Sequence, residues 1–148
     1  RRAFAQAALF HQAGIRLVIK NAEAGPFRVT TCQEPLEHIL DNILINAIQG
    51  FEGVQGRDKE ITVTLAPQQE QIFIRVADNG IGMDAETLDK VYTSGFTTKP
   101  NGNGLGLFIT RQLCRFINAS LSIESDEGRG TTVTLMLPQA GSRPGESS

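Results

Sequence analysis

The sequence predicts an α+β fold: a two-layer α/β sandwich, with helices packed on one face of a mixed, largely antiparallel sheet. Three observations predict it. Segments with two-residue apolar alternation come in adjacent runs, "ITVTLA" (61–66) with "QIFIRVA" (71–77) and "SLSIES" (120–125) with "TTVTLMLP" (131–138), which favours hairpins over repeated βαβ units. One long segment from 36 to 51 carries apolar residues at steps of three and four, the period of an amphipathic helix. The Thr-rich alternation in 61–65 and 131–134 leaves one sheet face polar, as expected where helices cover only the other.

Each element follows from local chemistry. "IRLVIKNA" (15–22) and "FRVTT" (27–31) read as strands joined at Gly25-Pro26. Pro35 suits the first turn of a helix. Leu36, Ile39, Leu40, Ile43, Leu44, Ala47, Ile48 and Phe51 form its apolar face, and "GVQG" (53–56) stops it. A polar "PQQEQ" turns the chain between the strands at 61–66 and 71–77. "DAETLDKVY" (84–92) reads as a short helix with Asp84 as its N-cap. "TSGFTTKPNGNG" (93–104) lacks periodicity and is long enough for a functional loop. "LGLFITRQLCRFIN" (105–118) is a helix with Leu107, Leu113, Phe116 and Ile117 among its apolar positions. "DEGRG" lies between the last two strands, and 139–148 has the composition of a flexible tail.

Bulk properties narrow the function. With 148 residues the chain is long enough for one domain with a real core. A formal charge of −2 draws it neither to nucleic acid nor to an anionic membrane. No apolar run approaches the roughly 20 residues of a membrane span. Cys32 and Cys114 stand far apart with no CxxC and no nearby His pattern, which points to a reducing compartment over a disulfide or a zinc site.

Four features stand out from this frame. Asp78, of "DNGIGM" (78–83), shares strand parity with Ile72, Ile74 and Val76, so an acid points toward the core side. Asp, Asn and Gly also make tight turns, and both readings stand. An inward carboxylate requires a partner, which makes Asp78 a candidate ligand-binding group. Asn42 and Asn46 lie one helical turn apart at the flank of the apolar face. Each costs the helix roughly 0.5 kcal/mol relative to Ala. They are either exposed polar residues or paired amides that offer oxygens to a hard cation such as Mg²⁺. "GNGLGL" (102–107) places Gly102, Gly104 and Gly106 at a helix start, where backbone N–H groups suit phosphate oxygens. It is neither a Rossmann fingerprint nor a P-loop, since position 107 is Leu and no GK[ST] follows. Lys99, in "GFTTK", is a solvated loop lysine or a point charge for a terminal phosphate.

Taken in order, "NILINA", "DNGIGM", "GFTTK", "GNGLGLF" and "GRGTT" resemble the ATP-binding catalytic domain of sensor histidine kinases, over about residues 15 to 138. That domain belongs to a wider class shared with gyrase, Hsp90 and the mismatch-repair ATPases, whose Bergerat-type fold is an α/β sandwich. The resemblance implies ATP and Mg²⁺ as cofactors. Asn46 then serves as metal ligand, and Asn42 contacts phosphate. Asp78 accepts from the adenine amino group, and Gly80 and Gly82 let the backbone approach the base. Phe96, Thr97, Thr98 and Lys99 belong to a mobile lid. Gly102, Asn103, Gly104, Leu105, Gly106 and Leu107 cradle phosphates, with Thr131 and the glycines Gly128 and Gly130 closing the site. Asn42 and Lys99 are the expected catalytic residues.

The resemblance further implies a phosphoacceptor histidine on a separate dimerisation domain of the same parent protein, and a response regulator downstream. His11 precedes Gln12 and His38 precedes Ile39, so neither has the acidic neighbour of a family acceptor. Residues 1–14 are either an N-terminal helix or the end of a connector from that upstream domain. The isolated domain is expected to be a cytoplasmic monomer without nucleic-acid or membrane contact, and the parent a homodimer, membrane-anchored or not. Two departures are visible: Gln49 stands where many relatives carry a basic residue, and the lid has one phenylalanine, Phe96. Three further functions compete. An ATPase-type switch needs a general base, and relatives of that kind carry Glu where Asn42 stands; an amide cannot replace it. A serine-directed kinase of the same fold and a pure nucleotide-binding module differ in what, if anything, receives the phosphate.

Overall fold

The computed structural model describes residues 14–21, 33–90 and 106–138. The expected strand at 27–31, the Gly25-Pro26 turn, the N-terminal segment, the loop at 93–104 and the tail lie outside them. The described elements are β1 (Ile15–Asn21), α1 (Gln33–Gln49), β2 (Lys59–Gln68), β3 (Gln71–Asp78), α2 (Ala85–Lys90), α3 (Gly106–Phe116), β4 (Ser120–Asp126) and β5 (Gly130–Pro138).

The five strands form one sheet in the order β1-β2-β3-β5-β4. β2 with β3, β3 with β5 and β4 with β5 are antiparallel, whereas β1 lies parallel to β2. The sheet is thus mixed and largely antiparallel, as the strand runs predict. The β1–β2 pair is the parallel member of the mixed sheet: a parallel neighbour requires a long crossover, and α1 lies within it.

Parity along the strands decides the core. Val76, Ile61, Leu135 and Leu137 are buried on one face and form one cluster with Ile39, Ile43, Leu44 and Ala47 of α1 and Cys114 of α3; Ile72 is buried on the same face. These α1 positions are the apolar face read from the sequence, with Leu36, Leu40 and Ile48 at its margin. The other sheet face stays more polar: Arg75 stacks over the ring of Phe73 at 4.7 Å, beside the Thr rows.

Helix ends follow capping rules. Glu34 sits in the first turn of α1, where the helix dipole favours an acid, and Pro35 costs nothing so near the start. At the other end the Gly50 N–H reaches the Asn46 and Ala47 carbonyls at 3.0 and 3.2 Å, and the chain tightens into turns. The helix therefore ends before "GVQG", yet Phe51 is still 3% exposed and part of the core. Asp84 caps α2 as expected, accepting from the Thr87 N–H at 2.7 Å. Asn118 adopts φ 63° after α3. Ala119 N–H then reaches the Cys114 carbonyl at 2.8 Å, which closes the helix as a Schellman motif. Phe116, read as an apolar position of that helix, is 72% exposed. Thr110, Cys114 and Ile117 hold the inward stripe instead. The β2–β3 turn is shorter than "PQQEQ". Gln68 pairs with Gln71, and Gln69 at φ 58° makes the corner. Pro67 remains in the strand, opposite Ile72 of β3.

Burial of Cys114 has a chemical consequence. Desolvation pushes its thiol up to about 11. At pH 8 only about one thiol in a thousand is then ionised, and the thiolate is the nucleophile. Iodoacetamide at pH 8, followed by peptide mapping, is expected to leave Cys114 unmodified in the folded chain and to label it after denaturation. Equal labelling rates in both states would refute burial. The thiol's stabilising contribution is fully present below the ordinary thiol value of 9.0 and is lost as pH rises to about 11.

Candidate functional site

Asp78 ends the third strand of the sheet order, with Ile61 opposite it on β2 and Thr131 opposite it on β5. Its carboxylate is held by backbone donors. Oδ1 accepts from the Gly80 N–H at 2.9 Å and the Thr131 N–H at 3.3 Å. The side chain lies on the helix-covered face, toward the end of α1: a Cβ on Gly50 would sit 3.7 Å from Oδ1. Both readings of "DNGIGM" therefore hold at once, since Asp78 makes the turn and faces the interior side.

The glycines here permit contact between backbones. A Cβ on Gly80 would overlap the Gly50 carbonyl oxygen, and one on Gly82, at φ +67°, would overlap the Asp126 carbonyl. A side chain on Gly130 would collide with the Asp78 carbonyl. The end of α1, the 78–83 loop and the β4–β5 hairpin thus meet backbone to backbone. Ile81 N–H donates to Gly50 O at 3.0 Å, and Gly128 N–H donates to Ile81 O at 2.6 Å.

Asn79 sets the entry into this loop. Its Oδ1 accepts from Glu60 N–H and its Nδ2 donates to Asp58 O, both at 2.8 Å, so the side chain extends the β2 ladder beyond the strand. Ser125 joins the far side. Its hydroxyl accepts from Met83 N–H at 2.8 Å, donates to Gly130 O at 3.0 Å and lies 2.8 Å from Thr131 Oγ1. Arg57 spans the junction, donating from Nη2 to Gly80 O at 2.7 Å and from Nη1 to Gly128 O at 2.9 Å. A shallow concavity of about 510 Å³ opens beside Arg57, Val54, Ile81 and Glu127; none of Asn42, Asn46 and Asp78 lines it.

On α1, Asn42 and Asn46 are both half-buried. Asn42 Nδ2 donates to Thr110 Oγ1 on α3 at 3.1 Å, and Thr110 is fully buried. This bond links the two helices directly. His38 is exposed, as its polar helix position predicts. Gly106 and Leu107 open α3, whose N-terminal amides carry the positive end of the helix dipole. Phe96, Thr97, Thr98, Lys99, Gly102, Asn103, Gly104 and Leu105 lie outside the described residues.

The structure therefore brings Asp78, Gly80, Gly82 and Thr131 together, with Gly50 adding the end of the helix that carries Asn42 and Asn46. Sequence reasoning missed Gly50, Arg57, Asn79, Thr110 and Ser125. Thr110 is legible in retrospect as the polar member of an inward helix stripe. Arg57 carries no local signal, because its partners lie 23 and 71 residues away.

Comparison with known proteins agrees with the fold and the family resemblance. The family model described as "Histidine kinase-, DNA gyrase B-, and HSP90-like ATPase" matches residues 31–141. The sensor histidine kinase ZraS of Escherichia coli is 37% identical over 103 residues, covering 70% of this chain and 21% of that protein. The histidine protein kinase SaeS of Staphylococcus aureus is 38% identical over 109 residues, with 70% and 30% covered. The chain spans roughly a quarter of the length of such curated relatives. Among solved structures, the nucleotide-free catalytic domain of histidine kinase ThkA superposes with a TM-score of 0.77 at 22% identity, over 92% of this chain and 86% of that one. Full-length ShkA in complex with AMPPNP gives 0.79 at 21% identity, over 93% and 28%. Among the described residues no helix is long and apolar enough to cross a membrane. With the Asp-Gly junction at the end of the central strand and a family match over most of its length, the chain belongs to the histidine kinase-, DNA gyrase B- and HSP90-like ATPases, as a catalytic ATP-binding domain of the sensor histidine kinase type.

Proposed function

We propose that this domain binds Mg·ATP and delivers the terminal phosphate to a histidine on a separate helical dimerisation domain of its parent protein, from which a response regulator receives it. The observation that supports this most is the Asp78 carboxylate, aimed by two backbone N–H groups. An ionised carboxylate can only accept, and it offers about four lone-pair sites. The exocyclic amino group of adenine is a matching donor.

The surrounding residues fit the remainder of the nucleotide. Gly80, without a Cβ, keeps bulk away from Asp78, and the α3 N-terminus is a ready site for anionic oxygens. Asn46 would offer its amide oxygen to Mg²⁺. Asn42, through Thr110, would hold α1 and α3 at the spacing this arrangement needs. Lys99 and the 93–104 segment complete the reading from sequence. Mg·ATP supplies the phosphoryl group, and what remains for the protein is positioning and electrostatics. An amide at position 42 cannot act as general base, which favours transfer over hydrolysis. The domain's place in the cytoplasm, its monomeric state and the dimeric state of the parent belong to the same proposal.

Incubation of the chain with γ-labelled ATP and a supplied helical histidine domain tests it. Acid-labile label is expected on the supplied domain and none on this chain. Label on His11 or His38, acid-stable label on serine, or phosphate release without transfer would each overturn the histidine-transfer reading.

A further inference from the structure

Arg57 belongs to none of the motifs, yet its guanidinium bonds both glycine loops. Its Nη2 holds the carbonyl of Gly80, and the N–H of the same peptide, from Ile81, is held by Gly50 O. Both edges of that peptide plane are therefore fixed, one by the end of α1 and one by the guanidinium. Peptides beside glycine are the easiest to rotate, because glycine tolerates both signs of φ. This one starts at the residue whose N–H aims Asp78 Oδ1. On the other side, Nη1 holds Gly128 O, and Gly128 N–H returns to Ile81 O. The contacts close a ring from Ile81 through Gly128 and Arg57 to Gly80 and back along the Gly80–Ile81 peptide, with Gly50 O holding it at the Ile81 N–H. A planar fork can address two carbonyls at once, which a lysine ammonium does not reproduce.

We propose that Arg57 is a positioning residue for base recognition: it locks the Gly80–Ile81 peptide and thereby fixes the orientation of the Asp78 carboxylate. The proposal rests on the reading of Asp78 as the acceptor for the base. Arg57 acts through the loop and touches no nucleotide itself. When it is removed, the Gly80 peptide gains freedom and the Gly80 N–H no longer holds Oδ1 in one direction. Selectivity between a donor and an acceptor on the purine then falls. A purely structural role would weaken ATP and GTP binding in equal measure and leave their ratio alone.

The test measures ATP and GTP dissociation constants of the full chain for Arg57→Ala, Arg57→Lys and the unmodified protein, by competition against a fluorescent ATP analogue, with thermal midpoints alongside. Arg75→Ala serves as a charge-matched control, since Arg75 stacks on Phe73 on the opposite face of the sheet. The ATP-over-GTP ratio is expected to fall by about fivefold or more in both Arg57 variants and to stay unchanged in Arg75→Ala. An unchanged ratio in the Arg57 variants, in a protein that does discriminate, overturns the proposal and leaves the Asp78 reading intact. A protein that binds ATP and GTP equally before any substitution overturns both.

Discussion

Asp78→Asn is expected to remove most of the preference for ATP over GTP. Adenine carries an amino donor where guanine carries a carbonyl oxygen. Toward the first, the carboxylate gains a hydrogen bond; toward the second, two acceptors meet and the charge is left uncompensated. A hydrogen bond to a charged group contributes about 1.5–3 kcal/mol, which is about 10- to 150-fold in affinity. Asparagine keeps an oxygen for the Gly80 and Thr131 N–H groups, so the loop retains its anchor. Its amide is neutral, however, and its NH₂ end suits guanine. Displacement of a fluorescent ATP analogue by each nucleotide measures the ratio in both proteins. If GTP and ATP displace it equally from the unmodified chain, Asp78 is a turn residue and no more.

Gly82→Ala is expected to be the most destabilising small substitution in this region. The position sits at φ +67°, and the new methyl would overlap the Asp126 carbonyl. The obstacle is backbone, so no side chain can swing aside. Backbone strain of this kind costs about 1–3 kcal/mol. Pushing the β4–β5 hairpin away adds to it, for a total of about 3–5 kcal/mol. At this chain length that lowers the thermal midpoint by about 10 °C. Gly53→Ala separates the two contributions, because Gly53 also has positive φ, +80°, but nothing lies within 4 Å of its Cβ direction. Its loss is expected to be about 1 kcal/mol. Equal midpoint shifts for the two variants, read by calorimetry, would show that the close approach to Asp126 contributes nothing.

The legible parts of this protein were those governed by short-range periodicity. The α1 face from Leu36 to Ala47, the two hairpins and the inward parity of Asp78 depend on residues within a few positions of one another. The Asp84 cap is equally local. What could not be read depends on sequence-distant geometry. No local rule says that β1 takes β2 as its parallel neighbour. Nor does one reveal that Gly80 is small because Gly50 O occupies the space a Cβ needs. The sequence leaves Asn42 either an exposed polar residue or an amide offered to a cation, and its hydrogen-bond partner Thr110 lies 68 residues on. Phe116 shows the limit of hydrophobicity alone: its helix places Thr110 and Cys114 inward and leaves the aromatic ring in solvent.

The place of β3 within the sheet carries one more consequence. Among the described strands it is the middle one, with β2 and β5 along its full length on either side, while β1 and β4 are the outer two. An edge strand can detach by breaking one ladder; β3 can leave only by breaking two. Local opening events, which are the cheap fluctuations of a folded chain, therefore reach the edges before they reach Asp78. The carboxylate's direction is inherited from the most cooperative part of the molecule. Damage at β1 can coexist with an intact base site, whereas loss of β5 removes the Thr131 N–H and half the support of β3 together.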